Sequence, residues 1–305
     1  MIPLDEIRAA RERLAGRIVR TPLVELDGVH LKLENLQPIG SFKLRGALNA
    51  VAQAGELGSG VVTASAGNMG QGVAWAAREL GVPCSVVVPD TAPETKLAAI
   101  ERLGGTIAKV THERWWQALE ESRFPELDGF FVHPVQDEAV MAGNGTIGLE
   151  LLEDLPELDT VLVPFGGGGL SVGVASAVKA LRPEARVYSV EPETGAPLTA
   201  AFAAGQPAPI EFRPSFVDGA GGPALLPKMW PRVREVVDGA FAVSLDETAA
   251  AVRVLATRAR VVAEGAGALS LAAAGRIDGA NVCCIVSGGN IDVAKLAEIL
   301  AGTTP

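Results

Sequence analysis

The chain has 305 residues, of which 48% are hydrophobic and 20% charged, and this composition is typical of a folded globular protein rather than a disordered one. The net charge is −10 with no cluster of lysine and arginine to offset it, so we expect no nucleic-acid partner. The chain has no apolar run of about 18 residues, no signal-peptide pattern and no zinc-like or paired cysteine spacing, so we expect a cytoplasmic protein without membrane association.

Short apolar runs alternate with helical patterns along the chain. The strand-like runs are residues 61–63, 84–88, 106–110, 161–163, 186–190 and 282–286. They lack polar alternation, which is typical of parallel strands covered by helices on both faces. We therefore predict an α/β fold with two lobes of parallel-rich sheets, a small domain at 50–145 and a discontinuous large domain at 1–49 and 146–305. Ligands of such sheets lie beyond the carboxyl ends of the strands.

The first candidate loop is Ser41-Phe42-Lys43, which leads into a helical pattern over 44–54. A lysine near a helix start is disfavoured in its charged form by the helix dipole, and burial would lower its pKa further. Such a lysine could offer a neutral amine for imine formation. Taken alone, however, the motif is more typical of a surface lysine whose stem packs against apolar neighbours.

The second candidate loop is Thr63-Ala64-Ser65-Ala66-Gly67-Asn68, which again lies between a strand and a helix. The free N–H groups of a helix start bind anions, and Ser65 and Asn68 add hydrogen-bonding side chains. The simpler interpretation is that these residues only cap the following helix.

The third and strongest candidate is Gly166-Gly167-Gly168-Gly169, between a strand and a helix. Glycines allow backbone N–H groups to surround an anion, so the loop predicts a phosphate site rather than a flexible turn. Neither the dinucleotide motif nor the P-loop motif is present. A fourth loop, Ser287-Gly288-Gly289-Asn290, follows the last strand and is either a turn or part of the same site.

In this order along the chain, the four loops resemble the fold type II pyridoxal-phosphate enzymes, whose fold is that of the tryptophan synthase beta subunit. The closest branch contains the threonine and serine dehydratases (ammonia-lyases) and the serine racemases. The resemblance implies that Lys43 holds pyridoxal 5'-phosphate as an imine and later moves the α-proton. The other implied cofactor-binding residues are Phe42, Asn68, Gly166, Gly167, Gly168, Gly169, Glu264 and Ser287. The implied substrate-binding residues are Ser65, Ala66, Gly67, Asn68 and Met69.

Two positions in the second loop depart from the family pattern. Position 66 is Ala, whereas the racemases of the family usually carry a serine that acts as acid or base. We therefore rank a dehydratase above a racemase. Position 69 is Met where the family usually has His, which makes one pocket wall less polar. The pocket would then admit a bulkier β-substituent such as a phenyl ring, unless only the backbone of residue 69 contacts the substrate.

Further departures concern a divalent cation that many relatives bind with a Glu and an Asp. Glu191 matches the Glu, but Pro197 stands where the Asp would be and has no carboxylate. We therefore predict no metal site of that kind. Glu264 matches a family glutamate near the cofactor, although Gly265 replaces the usual proline after it.

The expected function is elimination of water and ammonia from a 3-hydroxy amino acid, either threonine, serine or an aryl relative, to leave a 2-oxo acid. The alternatives on the same scaffold are a racemase or epimerase and a β-replacement enzyme, and a more remote one is a non-catalytic binding module. The expected partner is the small amino acid substrate, and the resemblance implies a homodimer.

Overall fold

The computed structural model describes residues 1–55 and 57–305, which form ten strands. In chain order the strands are β1 (Leu23–Leu26), β2 (Val29–Lys32), β3 (Val61–Ala64), β4 (Cys84–Pro89), β5 (Thr106–Val110), β6 (Phe130–Phe131), β7 (Thr160–Pro164), β8 (Arg186–Pro192), β9 (Gly239–Val243) and β10 (Val282–Ile285). The six strand-like runs predicted from the sequence coincide with β3, β4, β5, β7, β8 and β10 to within two residues at each end.

Twelve α-helices accompany these strands in the same described residues. They are α1 (Leu4–Leu14), α2 (Lys43–Gln53), α3 (Asn68–Leu80), α4 (Glu94–Arg102), α5 (His112–Glu121), α6 (Glu138–Asp154), α7 (Gly169–Leu181), α8 (Pro197–Ala204), α9 (Met229–Val236), α10 (Leu245–Val254), α11 (Gly265–Ala273) and α12 (Val293–Leu300). Among residues 1–55 and 57–305, none of these helices combines the length and apolar character that a membrane crossing requires.

The strands form two sheets. The larger has six strands in the order β1-β2-β10-β7-β8-β9, and only the β1–β2 pair is antiparallel. The smaller has four parallel strands in the order β5-β4-β3-β6. The prediction of an α/β fold with parallel-rich, helix-covered sheets is thereby confirmed.

The predicted domains of the chain remain a proposal, although the strands sort as the proposal requires. All strands of the small sheet lie within residues 50–145, and all strands of the large sheet lie outside that range. Both proposed borders fall inside helices, α2 and α6, which pack against each other. These two helices would therefore connect the domains without a flexible linker.

Each sheet is covered by apolar clusters on both faces. Successive residues of a strand point in opposite directions, so neighbouring residues belong to different clusters. In β10, Cys283 contributes to the apolar cluster on one face and Cys284 to the cluster on the other. In β4, Val86 and Val87 divide in the same way between the two clusters of the small sheet. The adjacent cysteines are therefore free thiols inside a central strand, as their apolar surroundings in the sequence predicted.

Three of the four candidate loops lie at the carboxyl ends of strands. Residues 65–68 follow β3, residues 166–169 follow β7 and residues 287–290 follow β10, while Lys43 begins the first α-helix after β2. The direction of the parallel strands brings these loops to one region between the two sheets.

Candidate active site

One cavity of about 430 Å³ lies between the two sheets, within the size range of small-molecule sites. All the residues that the sequence predicted for the cofactor and the substrate line it: Phe42, Lys43, Ser65, Ala66, Gly67, Asn68, Met69, Gly166, Gly167, Gly168, Gly169, Glu264 and Ser287. These residues come from five separate parts of the chain. Their common cavity supports the predicted site, while the role of each residue remains a proposal.

Lys43 is the first residue of α2, and its position is set by backbone hydrogen bonds of the preceding residues. The N–H of Phe42 donates to the carbonyl of Ser287 at 3.0 Å, and Ser41 pairs with Gly288 in an isolated β-bridge. The lysine loop is thus joined to the loop that follows β10. The Nζ of Lys43 lies 5.0 Å from the centre of the Phe42 ring.

The electrostatic surroundings of Lys43 favour the neutral amine. Burial lowers the pKa of Lys43 from 10.5 to about 8, although the nearby carboxylate of Glu264 acts in the opposite direction. A neutral lysine amine is the form that attacks an aldehyde. The alternative of an ordinary surface lysine therefore does not describe this residue.

The surroundings of the tetraglycine loop exclude side chains at its positions, so its backbone remains uncovered by side chains of its own. A Cβ added to Gly167 would lie 2.4 Å from the Cγ2 of Val135, and a Cβ added to Gly166 would lie 3.3 Å from the carbonyl oxygen of Gly219. Gly168 has a φ of +96°, which favours glycine over every other residue. The first N–H groups of α7 have no acceptor within the helix. This loop fits the phosphate of pyridoxal phosphate.

The wall near Lys43 contains a hydrogen-bonded set of polar side chains. The Nδ2 of Asn68 donates to the Oε1 of Glu264 at 2.8 Å, and the Nδ2 of Asn290 donates to the Oδ1 of Asn68 at 2.8 Å. Burial and the neighbouring charge of Asp218 raise the pKa of Glu264 to about 7. Ser287, which carries a neutral hydroxyl, is buried and also lines the cavity. Asn68 and Ser287 thus offer hydrogen-bonding groups to a substituted pyridine ring bound in the cavity.

Several residues of the cavity wall were not predicted from the sequence. Val135 contacts the glycine loop, and Lys96 forms an ion pair with Asp218 at the cavity. Trp115 also lines the cavity, whereas its neighbour Trp116 is 39% exposed. No local pattern marks these positions, because only the packing of distant segments brings them to the site.

His133 keeps Val135 in place. Its Nδ1 accepts hydrogen bonds from the N–H groups of Val135 and Gln136 at 3.0 and 2.9 Å, so its proton is on Nε2, which donates to the carbonyl of Leu119 at 3.1 Å. Burial lowers the pKa of His133 to about 4. His133 thus has a structural role, because it holds the backbone of residues 135 and 136.

The position of the family's cation site has a different arrangement. Glu191 is fully buried, and its two oxygens accept hydrogen bonds from the N–H of Leu198, the N–H of Thr199 and the hydroxyl of Thr199, at 3.0, 2.8 and 2.8 Å. Across residues 1–55 and 57–305, no group of three potential metal-binding side chains occurs. The carboxylate of Glu191 is thus committed to the start of α8, and the residues present do not fit the cation.

Comparisons with known proteins agree with this site. The family model described as pyridoxal-phosphate dependent enzyme matches residues 14–288. The chain is 40% identical to the L-threonine ammonia-lyase of Thermotoga maritima, over 98% of this chain and 78% of that protein. It is 37% identical to the catabolic L-threonine dehydratase of Escherichia coli (strain K12), over 98% of this chain and 96% of that one.

Solved structures show the same likeness in three dimensions. Maize serine racemase has a TM-score of 0.90 at 32% identity, with 98% of this chain and 96% of that chain covered. A processed threonine deaminase from Solanum lycopersicum has a TM-score of 0.88 at 32% identity, with 98% and 92% covered. Since the family model extends over nearly the whole chain and includes three of the four loops of the cavity and the start of the fourth, the protein belongs to the pyridoxal-phosphate dependent enzyme family.

Proposed function

We propose that this enzyme removes water and ammonia from a 3-hydroxy amino acid, with L-threonine and serine as first candidates. Threonine would be converted to 2-oxobutanoate and ammonium. One water is lost at the β-carbon, and one water is taken up when the nitrogen is released as ammonium. The observation that carries the proposal is the shared cavity in which the amine of Lys43 and the glycine loop both lie. The names of the threonine ammonia-lyase and dehydratase relatives support the same reaction class.

Bound pyridoxal phosphate supplies an electron sink for the bonds around the α-carbon. In this proposal Lys43 holds the cofactor and then accepts the proton from the α-carbon of the substrate. A pKa of about 8 suits that task, because a general base works best when its pKa is near the operating pH. Ser287 would keep a neutral group at the ring nitrogen, which favours loss of the β-substituent over a long-lived carbanion.

The start of α3 would receive the substrate carboxylate. Residues 65–68 precede and open this helix, and the Oγ of Ser65 accepts a hydrogen bond from the N–H of Gly67 at 3.2 Å. The remaining N–H groups of the first turn have no acceptor within the helix and would bind an anion.

The racemase alternative is supported by the likeness to maize serine racemase, but Ala66 argues against it. A methyl group can neither donate nor accept a proton, so this position cannot serve as an acid or base. We therefore expect little change of configuration in amino acid recovered from the reaction. Chiral chromatography of that amino acid would show whether the alternative is correct.

The β-substituent that fits best is a separate question. Met69 borders the cavity, yet its side chain is only 2% exposed and belongs to the apolar cluster of the small sheet. The size of the β-substituent that the pocket accepts is tested by a comparison of threonine with phenylserine. Activity restricted to serine would contradict a pocket widened by Met69.

The proposal is tested with a panel of L- and D-isomers of threonine, serine and phenylserine, scored for both 2-oxo acid and ammonia. Lys43→Ala should remove the visible colour of the bound cofactor and the turnover together. Lys109→Ala, at an exposed lysine in β5, is the matched control and should change neither. Full turnover by Lys43→Ala would contradict the proposed role of that residue.

We also infer a homodimer, from the resemblance to the family. Light scattering of the purified protein measures the molar mass directly. A mass equal to that of one 31.5 kDa chain at micromolar concentration would contradict this inference.

A further inference from the structure

A backbone carbonyl outside the cavity determines the orientation of the Asn68 amide, through the side chain of Asn290. The side-chain amide group of Asn290 lies 2.8 Å from the carbonyl oxygen of Ile39. A carbonyl oxygen can only accept, so the Asn290 atom that faces it must be the nitrogen. The same nitrogen lies 2.8 Å from Asn68, and the Asn68 atom that faces it must therefore be the oxygen.

The amide of Asn68 then has only one possible arrangement. Its oxygen faces Asn290, so its nitrogen faces Glu264, to which it donates at 2.8 Å. That nitrogen carries two hydrogens, and within the described chain only Glu264 accepts one of them. Asn68 lines the cavity, so its second hydrogen is available to a group bound there. The cavity is thus given a donor at this point and not an acceptor.

Asn290 also contacts the segment that carries the reactive lysine. Ile39 is four residues before Lys43, and the N–H of Gly289 donates to the carbonyl of Gly40 at 2.8 Å. Gly40 has a φ of +70°, and a Cβ there would lie 2.7 Å from the Oδ1 of Asn290. One amide group therefore uses both of its hydrogens to join the lysine segment to the start of α3.

We propose that Asn290 is a positioning residue, which fixes the amide of Asn68 so that it donates a hydrogen bond to the ring oxygen of pyridoxal phosphate. The inference rests on the proposed function, because it assumes that the cofactor ring binds beside Asn68. A donor at this oxygen stabilises its negative charge. Asn290 itself is exposed toward a neighbouring cleft, so substitutions there should not prevent folding.

The experiment compares Asn290→Asp and Asn290→Ala in the full-length enzyme. Asp has nearly the same shape but no hydrogen to donate, and Ala removes the group without adding charge. Both variants should bind pyridoxal phosphate about tenfold more weakly than the wild type, as expected for loss of an orienting bond near a charged oxygen. Both should also change the ratio of the visible to the near-ultraviolet absorption band of the bound cofactor. Asn281→Ala, at the opposite end of β10, is the control and should do neither.

The outcomes separate the inference from the proposed function. If both Asn290 variants keep the wild-type affinity and spectrum, or if Asp substitutes fully for Asn, the inference is wrong because the donated hydrogens are not needed. If Asn281→Ala loses the cofactor equally, the effect is general and the inference also fails. A wild type that binds the cofactor but releases ammonia from no amino acid would contradict only the proposed function.

Discussion

The protonation of Lys43 should control how fast the enzyme takes up its cofactor. With a pKa of about 8, the neutral fraction of the amine rises roughly tenfold for each pH unit below that value. The rate of pyridoxal phosphate uptake by the cofactor-free enzyme should therefore rise up to about pH 8 and then level off. Stopped-flow absorbance measures this rate. Nα-acetyl-lysine in solution, which keeps a free side-chain amine, is the control. A midpoint near 10.5 would mean that the amine is not desolvated.

Replacement of Glu264 by Gln should move this midpoint to lower pH. Burial lowers the pKa of Lys43, and the negative charge of Glu264 partly opposes that shift. Glutamine keeps an oxygen that accepts from Asn68 but carries no charge. The amine would then lose its proton more readily, and uptake would level off below pH 8. An upward shift of the midpoint in Glu264→Gln would contradict the proposed electrostatic contact.

At the scale of elements, the loop before α7 depends on backbone conformations that only glycine adopts without strain. Gly168→Ala should weaken the binding of pyridoxal phosphate by at least about tenfold, because a φ of +96° strains any side chain by about 1–3 kcal/mol and the loop would move. Gly16→Ala is the matched control, since Gly16 has a φ of +73° but open space around it. It should lose similar stability while binding the cofactor normally. Equal cofactor binding in both variants would argue against the phosphate site.

The parts of the site that could be predicted from the sequence lie within single continuous segments of the chain. The glycine run and the apolar strands follow from local conformational rules, whereas Lys43 was assigned to the site only through the resemblance to the family, and all of these elements were found where they were expected. The tryptophans of α5 could not be placed in this way, because the periodicity of a helix does not tell a core face from a cavity face, and Trp115 lines the cavity while Trp116 is exposed.

The contacts between distant segments could not be predicted in the same way. Val135 meets Gly167 from another part of the chain, and Asp218 reaches Lys96 from a long irregular segment. The bond between Asn290 and the carbonyl of Ile39 joins residues 251 positions apart. Such contacts depend on how the two sheets are placed, and no local periodicity records that placement.

The start of α8 permits a prediction about divalent cations. Three donors at residues 198 and 199 satisfy both oxygens of Glu191, and Pro197 opens the helix without offering a ligand. Activity and the midpoint of thermal unfolding should therefore be the same in EDTA and in millimolar Mg²⁺. Calorimetry with saturating pyridoxal phosphate measures the midpoint. A clear rise of the midpoint with Mg²⁺ would show that the folded protein binds the cation and would contradict this prediction.

At the scale of the whole molecule, a buried ionic network joins the two helices that connect the sheets. Arg45 of α2 is fully buried and bonds both Glu34 and Glu150, while Lys32 of β2 donates to Glu150 at 2.6 Å. Thr21 adds a hydrogen bond to Glu34. Because every charge in this set has a partner, removal of one leaves others buried without compensation. The network thus makes the relative position of α2 and α6 depend on a few polar contacts.

Glu150→Gln tests this dependence, and Glu153 on the same helix provides a matched control. Although burial opposes ionisation, Arg45 and Lys32 lower the pKa of Glu150, so the variant should lose about 3–5 kcal/mol of unfolding free energy at neutral pH. Glu153→Gln, one turn further along α6, removes a solvent-exposed partner of Arg11 and Arg20 and should cost no more than about 1 kcal/mol.

Urea unfolding of both variants, with saturating pyridoxal phosphate, measures the difference. A group whose pKa is lowered in the folded state contributes stability above its ordinary pKa and loses that contribution as the pH falls through the lowered value. The gap between the two variants should therefore be full at neutral pH and narrow as the solution becomes acidic. Because Arg45 lies two residues after Lys43 on α2, Glu150→Gln should also reduce turnover. Equal losses of stability in the two variants would show that the buried network does not hold the helices in place.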